Sequence, residues 1–188
     1  MRKILTVLTA VFLLAGCKGK EKSTLQEEKK DSSVRLSVWT VPFLRSQFET
    51  RADAFRKAHD DVDLVITTGT EMESTILDTY LTDPSNAADV FVFAPAQLND
   101  FANAGALVPL DEKADEMLVK KKAEKLSDLQ SKGKESDFMS ASWQNQLYAF
   151  PVAGSDSGNG PYLVGVNSKS EVTDWALALG EYLSVSQQ

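Results

Sequence analysis

Cysteine occurs once in the 188 residues, at position 17, so no disulfide can form within the chain. Histidine also occurs once, as His59, and a lone histidine rules out the common clustered zinc sites. Basic residues are the minority: 20 Lys and Arg against 27 Asp and Glu give a net charge of −7. That balance argues against nucleic acid as a partner, because nucleic acid needs a basic face. There is no G-x-x-x-x-G-K-[ST] phosphate loop, no G-x-G-x-x-G fingerprint and no G-x-S-x-G elbow. Internal repeats are absent too. The longest apolar run, Ile4–Leu14, is far short of the ~20 residues a membrane-spanning helix needs.

What is present begins with that run. Arg2 and Lys3 precede it, and Leu14-Ala15-Gly16-Cys17 follows with small residues before the cysteine. Positive end, apolar centre and small-residue cleavage site are the order of a secretory signal peptide, here residues 1–16. Leu-Ala-Gly-Cys resembles the lipobox of bacterial lipoproteins. The resemblance implies cleavage before Cys17 and a diacylglyceryl group on its thiol, with acyl chains such as palmitate anchoring the protein to the membrane. Cys17 is then committed to the anchor. Removing Arg2 and Lys3 leaves 18 basic residues against 27 acidic ones. Residues 17–33 carry one aliphatic side chain, Leu25, among many charges, and cannot bury enough apolar area to offset their ordering entropy. They are expected to be a flexible tether to one domain, 34–188.

From residue 34, strand and helix patterns alternate. Val34–Val41 alternates in and out as a strand does. Leu44, Phe48, Ala52, Phe55 and Ala58 recur at helical spacing, with His59 expected as a surface residue at that helix's C-terminus. Val62–Thr67 reads as a second strand, and Thr70 with Glu73 as a capping box for a second helix. Ala88–Phe93 is a nearly unbroken apolar run, the mark of a strand covered on both faces. Pro95 opens a short helix that Gly105 ends. Residues 111–135 read as charged helix. Leu147–Val152 reads as an edge or crossover strand because it contains Pro151. A glycine-rich loop, 154–160, precedes a strand at Tyr162–Val166. A last helix follows, capped by Ser168 and Glu171 and carrying Trp175. This alternation predicts an α/β domain with a mostly parallel sheet flanked by helices. Ligands of such sheets sit beyond the carboxyl ends of the strands, here the loops 39–43, 68–70 and 93–97.

Catalytic groups are scarce in those loops. Ser155-Asp156-Ser157-Gly158 is similar to the surroundings of a protease serine, but Ser155 stands where glycine is expected, and a triad would have to enlist His59 from another element. The aromatics say more. Trp39 and Phe93 fall at carboxyl ends of predicted strands, where a ring can stack on the apolar face of a sugar. Each could equally be a core ring. Trp143 and Trp175 fit core or helix-face packing.

LSVWTV, the helix ending in FRKAHDDVDLVITTG, and DPSNAADVFVFAPAQLNDFANAGALVPLD together resemble the extracellular solute-binding proteins of sugar ABC transporters, of the maltose/maltodextrin-binding type. NQLYAFPVAG is similar to that family's first crossing toward its second lobe. The resemblance implies a periplasmic-binding-protein-like lobe and a sugar or oligosaccharide ligand. It also implies an ABC permease partner, no cofactor, no metal, no catalysis and a monomer on the extracytoplasmic face of the cell membrane. Family members have two lobes and are roughly twice as long. Residues 161–188 resemble the family's later return to the first lobe, so GSDSGNG stands where most of the second lobe would be; the alternative is a truncation soon after the first crossing, with 161–188 beginning the second lobe. The second lobe is therefore expected to be largely missing, and sugar binding to be weak or absent. Carried over by position, the ligand-binding candidates are Trp39, Thr40, Gly69, Thr70, Phe93, Ala96 and Gln97. Ala96 and Gln97 stand where maltose-binding members have a sugar-bonding carboxylate and guanidinium. The alternatives are a lipid-anchored hydrolase, which needs a nucleophile with a base or facing carboxylates, and a sensor or adhesin module without small-molecule ligand.

Overall fold

The structure, a computed structural model, describes residues 33–155, 157–158 and 160–184. The signal peptide, Cys17 and the tether as far as residue 32 lie outside them. So do Asp156, Asn159 and the last four residues of the chain.

A five-stranded sheet organises the domain. Its strands are β1 (Val34–Thr40), β2 (Leu64–Thr70), β3 (Val90–Phe93), β6 (Ala149–Pro151) and β7 (Leu163–Val166), in the order β2-β1-β3-β7-β6. Between β3 and β6 a two-stranded ribbon pairs β4 (Ser142–Trp143) with β5 (Gln146–Leu147). The apolar run at β3 became the central strand, all four residues buried, because only a strand covered on both faces tolerates consecutive large apolar side chains. β1 shows the expected alternation, with Leu36, Val38 and Thr40 buried.

The sheet is mixed: four of its strands point the same way and β7 runs against them. β1 runs parallel to β2 and β3, whereas β7 runs antiparallel to both β3 and β6. The connection from β6 to β7 is too short for a parallel crossover, which requires a dozen or more residues and usually a helix. It closes as a hairpin instead: Val152 N donates to Tyr162 O at 2.7 Å, and Ser157 N and Oγ both donate to Gly160 O at 2.9 Å. With the 152–162 pair hydrogen bonded, Pro151 falls where an amide would point off the sheet edge, so its missing N–H costs the ladder nothing.

Helices cover both faces. α1 (Arg45–Ala58) packs on β2 and on α7 (Thr173–Ser184), and α7 packs on β6 and β7. At Gly180, where α7 crosses the sheet, an added Cβ would sit in ordinary contact with Phe150 and Val166 at 3.4 Å. Beside the sheet, α2 (Ile76–Thr82) and α3 (Leu98–Asn103) contribute Tyr80 and Phe101 to an aromatic cluster with Phe91 and Phe93. Mid-strand Gly165 makes room for it: an added Cβ would lie 2.6 Å from Leu107 Cδ2 and 2.9 Å from Phe93 Cε1.

Several local expectations are corrected. The charged stretch 111–135 is not one helix. It breaks into α4 (Glu112–Lys120) and α5 (Leu126–Lys132), followed by α6 (Glu135–Ser140). Asp111 caps α4, accepting from the amides of Lys113 and Ala114, and Lys122 at φ +63° ends the run. Neither capping box forms. Thr70 is still in β2, paired with Thr40, and the Ser168 hydroxyl donates to Gly105 O at 2.6 Å. His59 does not lie on the surface. It is buried between Phe55 and Trp175, with ring centroids 4.4 and 5.3 Å away, and burial pushes its pKa down.

Candidate functional site

At the carboxyl ends of the strands, the loops after β1, β2 and β3 form a rim. A 3-10 turn, Pro42–Leu44, follows β1 and lifts Phe43 out of the fold, so that its ring is 64% exposed. Pro42 at the start of that turn supplies the φ the turn requires. Phe43 stands edge-on to Tyr162, centroids 5.2 Å apart. Tyr162 in turn donates its hydroxyl to Glu73 Oε2 at 3.0 Å. Burial and this carboxylate both push the Tyr162 pKa up, so the phenol keeps its proton and keeps donating. From the loop after β3, Gln97 Nε2 donates to Glu73 O at 2.7 Å. One residue, Glu73, therefore ties the loop after β2 to the loop after β3 and to the start of β7.

The sequence candidates divide on this geometry. Gly69 and Thr70 end β2 at the rim and are exposed, and Ala96 is exposed in the turn after β3. Gln97 is partly buried. Its Oε1 is buried without a hydrogen-bond partner among the described residues, the kind of orphan acceptor that costs about 1–3 kcal/mol. Trp39 is half-buried, tilted against Phe91 at 5.9 Å, with its Cδ1 3.4 Å from where a Gly69 Cβ would be. Thr40 is buried, and its hydroxyl turns back to Val41 O. Phe93 is corrected to a core residue. It is 0% exposed and stacked on Phe101 at 4.4 Å and 20°, which leaves no face for a ligand.

Phe43, Glu73 and Tyr162 were missed as site residues. The loop containing Phe43 was legible, but nothing in a run such as TVPFL says which apolar side chain turns outward. Glu73 and Tyr162 are 89 residues apart, and no local pattern links them.

What this rim can do is bind. It offers an exposed aromatic face beside oxygen acceptors, the combination that suits a ligand with both apolar faces and polar hydrogens. Two cavities, of about 520 and 490 Å³, lie elsewhere. One is beside β6, against Leu129, Phe138 and Phe150. The other is at the amino end of the sheet around Asp89 and Asn167. The Ser157 hydroxyl donates to Gly160 O, and the His59 ring packs among aromatics, so the two do not form a nucleophile–base pair. Among the described residues no group of three or more His, Cys, Asp or Glu could hold a metal ion, and no helix is long and apolar enough to cross a membrane.

Comparison with known structures places the fold. The GacH receptor of Streptomyces glaucescens, solved unliganded and with acarbose, is 21% identical, with a TM-score of 0.50 over 64% of this chain and 29% of its own. The maltodextrin-binding protein MalE1 of L. casei, without ligand, is 22% identical, with a TM-score of 0.49 over 63% of this chain and 29% of its own. The maltose-binding protein MalE of Listeria monocytogenes, in complex with maltose, is 15% identical, with a TM-score of 0.49 over 64% and 27%. The chain thus matches less than a third of the length of each, and its described part corresponds to one lobe. No curated protein matches it. The sequence profile of the bacterial extracellular solute-binding proteins matches residues 44–183, most of the domain built here around one mixed sheet. By that match and that fold, the chain belongs to the bacterial extracellular solute-binding protein family, whose members act outside the cytoplasm.

Proposed function

We propose that this protein is a lipid-anchored substrate-binding component of an ABC importer for carbohydrate, or a shortened remnant of one, and that it binds without catalysis. Cys17 carries the acyl anchor, and residues 17–33 tether a monomeric domain to the extracytoplasmic face of the membrane, within reach of the permease. The neighbours named for maltodextrin, maltose and acarbose agree with a sugar or oligosaccharide as the ligand. The observation that carries the reading is the exposed Phe43 ring on the rim, beside the Tyr162–Glu73 hydrogen bond. Gly69, Thr70, Ala96 and Gln97 flank it, with Trp39 behind.

The internal loss of the second lobe is supported by the hairpin that joins β6 directly to β7. A single lobe covers one side of a ligand and cannot close on it, so the two-lobe trap that fixes affinity and signals the permease is lost. Binding is accordingly weak. The test is a titration of the mature chain with glucose and glucosamine oligosaccharides, followed by calorimetry and by NMR shifts of Phe43 and Tyr162. Shifts confined to the rim, with affinity weaker than about 1 μM, are the expected result. Tighter affinity would overturn the single-lobe argument, and no rim shift with any sugar would overturn the carbohydrate reading.

A further inference from the structure

The loops around Phe43 hold two carboxylates and no cation. Over residues 41–44, 71–75, 94–97 and 160–162 the ionisable side chains are Glu71, Glu73 and Tyr162, with no lysine, arginine or histidine. Arg45, next along the chain, is paired through Nε to Glu49 at 2.7 Å. Glu73 Oε2 accepts a hydrogen bond from the Tyr162 hydroxyl, while its Oε1 meets no donor among the described residues. Tyr162, its proton directed at Glu73, has only a lone pair left to offer.

A neutral sugar presents hydroxyls that both donate and accept, and its ring oxygens only accept. An ammonium group presents three donors and no acceptor. It is attracted both to a carboxylate and to an aromatic face, the second by about 0.5–1 kcal/mol at exposed sites. From this matching we infer that the ligand of the rim is an amine-bearing carbohydrate, a glucosamine-type sugar, held with its ammonium at Glu73 and its ring against Phe43. This inference rests on the carbohydrate reading and narrows it. Glu73 is the specificity-determining residue: its backbone oxygen holds Gln97 and one carboxylate oxygen holds Tyr162, which fixes the direction of the other.

The test is a parallel NMR titration of the mature chain with three trisaccharides: glucosamine, N-acetylglucosamine and glucose oligomers, at a pH where the amine is protonated. The glucosamine trimer is expected to bind about 10-fold tighter than either neutral trimer, a step of ~1.4 kcal/mol. Raising the ionic strength toward ~0.5 M should shrink that preference, because the rim is exposed to solvent. Glu73→Gln keeps an acceptor for the Tyr162 hydroxyl, so the fold is retained, and should bring the three affinities within about 2-fold of one another. Phe43→Ala should weaken all three, the glucosamine trimer most, because it loses the cation–π attraction as well as the ring contact. Equal or tighter binding of the neutral trimers by the unsubstituted chain would overturn the inference and leave the carbohydrate reading standing. No rim shift with any of the three would overturn both.

Discussion

The two ends of the sheet each have a carboxylate at their centre, and the two are treated differently. At the amino end, Asp89 is saturated. Its Oδ2 accepts from the Ser37 amide and hydroxyl, both at 2.8 Å, its Oδ1 accepts from Ser170 Oγ at 2.7 Å, and its backbone oxygen accepts from Asn167 N at 2.8 Å. It pins β1, β3 and the segment before α7 together. At the carboxyl end, Glu73 receives one side-chain donor among the described residues, Tyr162, and keeps an oxygen open to them. The 490 Å³ hollow lies at the saturated end, and the exposed aromatic ring at the unsaturated one. The Asp89 carboxylate at that hollow is engaged in holding the fold together. A half-filled carboxylate beside a ring with a free face has something left to offer a ligand.

Substitutions can break this contrast. The largest effect is expected from two phenylalanines at the carboxyl end of the sheet, Phe93 in β3 and Phe43 in the turn after β1. Phe93→Ala leaves a cavity in a fully packed site and should cost about 3–5 kcal/mol by chemical denaturation, whereas Phe43→Ala should cost under ~1 kcal/mol. Comparable losses would mean that Phe43 is structural, contrary to its exposure. Next comes the carboxylate pair. Asp89→Ala strands three donors and should destabilise by roughly 3 kcal/mol, while Glu73→Ala should change stability by about 1 kcal/mol or less. If the order were reversed, Glu73 would be the pin and the assignment of the two ends would fail.

A third carboxylate sharpens the comparison. Glu181 on α7 is 5% exposed, with no hydrogen bond to its carboxyl among the described residues, and burial pushes its pKa up to about 7. Glu124 contributes to that rise, and Lys132 opposes it. The folded state therefore holds this proton more tightly than the unfolded chain does. The stabilisation is complete below about pH 4.5 and is lost as pH rises through about 7. Glu181→Gln should remove that slope and stabilise the protein at pH 8 by on the order of 2 kcal/mol, read from urea midpoints across pH. An unchanged slope would show that the folded protein has no such buried proton at Glu181.

Much of this was legible locally. Ala88–Phe93 announced the central strand because nothing but a strand covered on both faces accommodates VFVF. Pro151 announced an edge, and Gly105, at φ +63°, announced the end of α3. The last helix and the strand before it were placed correctly beside the first lobe. The misreadings share a cause, which is that they required a partner distant in the chain. Phe93 looked like a rim residue until Phe101 and Gly165 closed over its ring. Thr70 and Glu73 looked like a helix cap until Thr40 extended β2 and Tyr162 claimed the carboxylate. His59 looked like a charged helix end until Trp175 covered it.

By itself, then, the order of residues determined the elements and their family, because periodicity, glycine, proline and short apolar runs act over a few residues and survive any context. Only the tertiary structure decided which side chains face a ligand. Exposure and free hydrogen-bonding capacity are what remain after distant segments have packed, and Glu73 has an open oxygen because, among the described residues, one donor from 89 residues away reached it and no second one did.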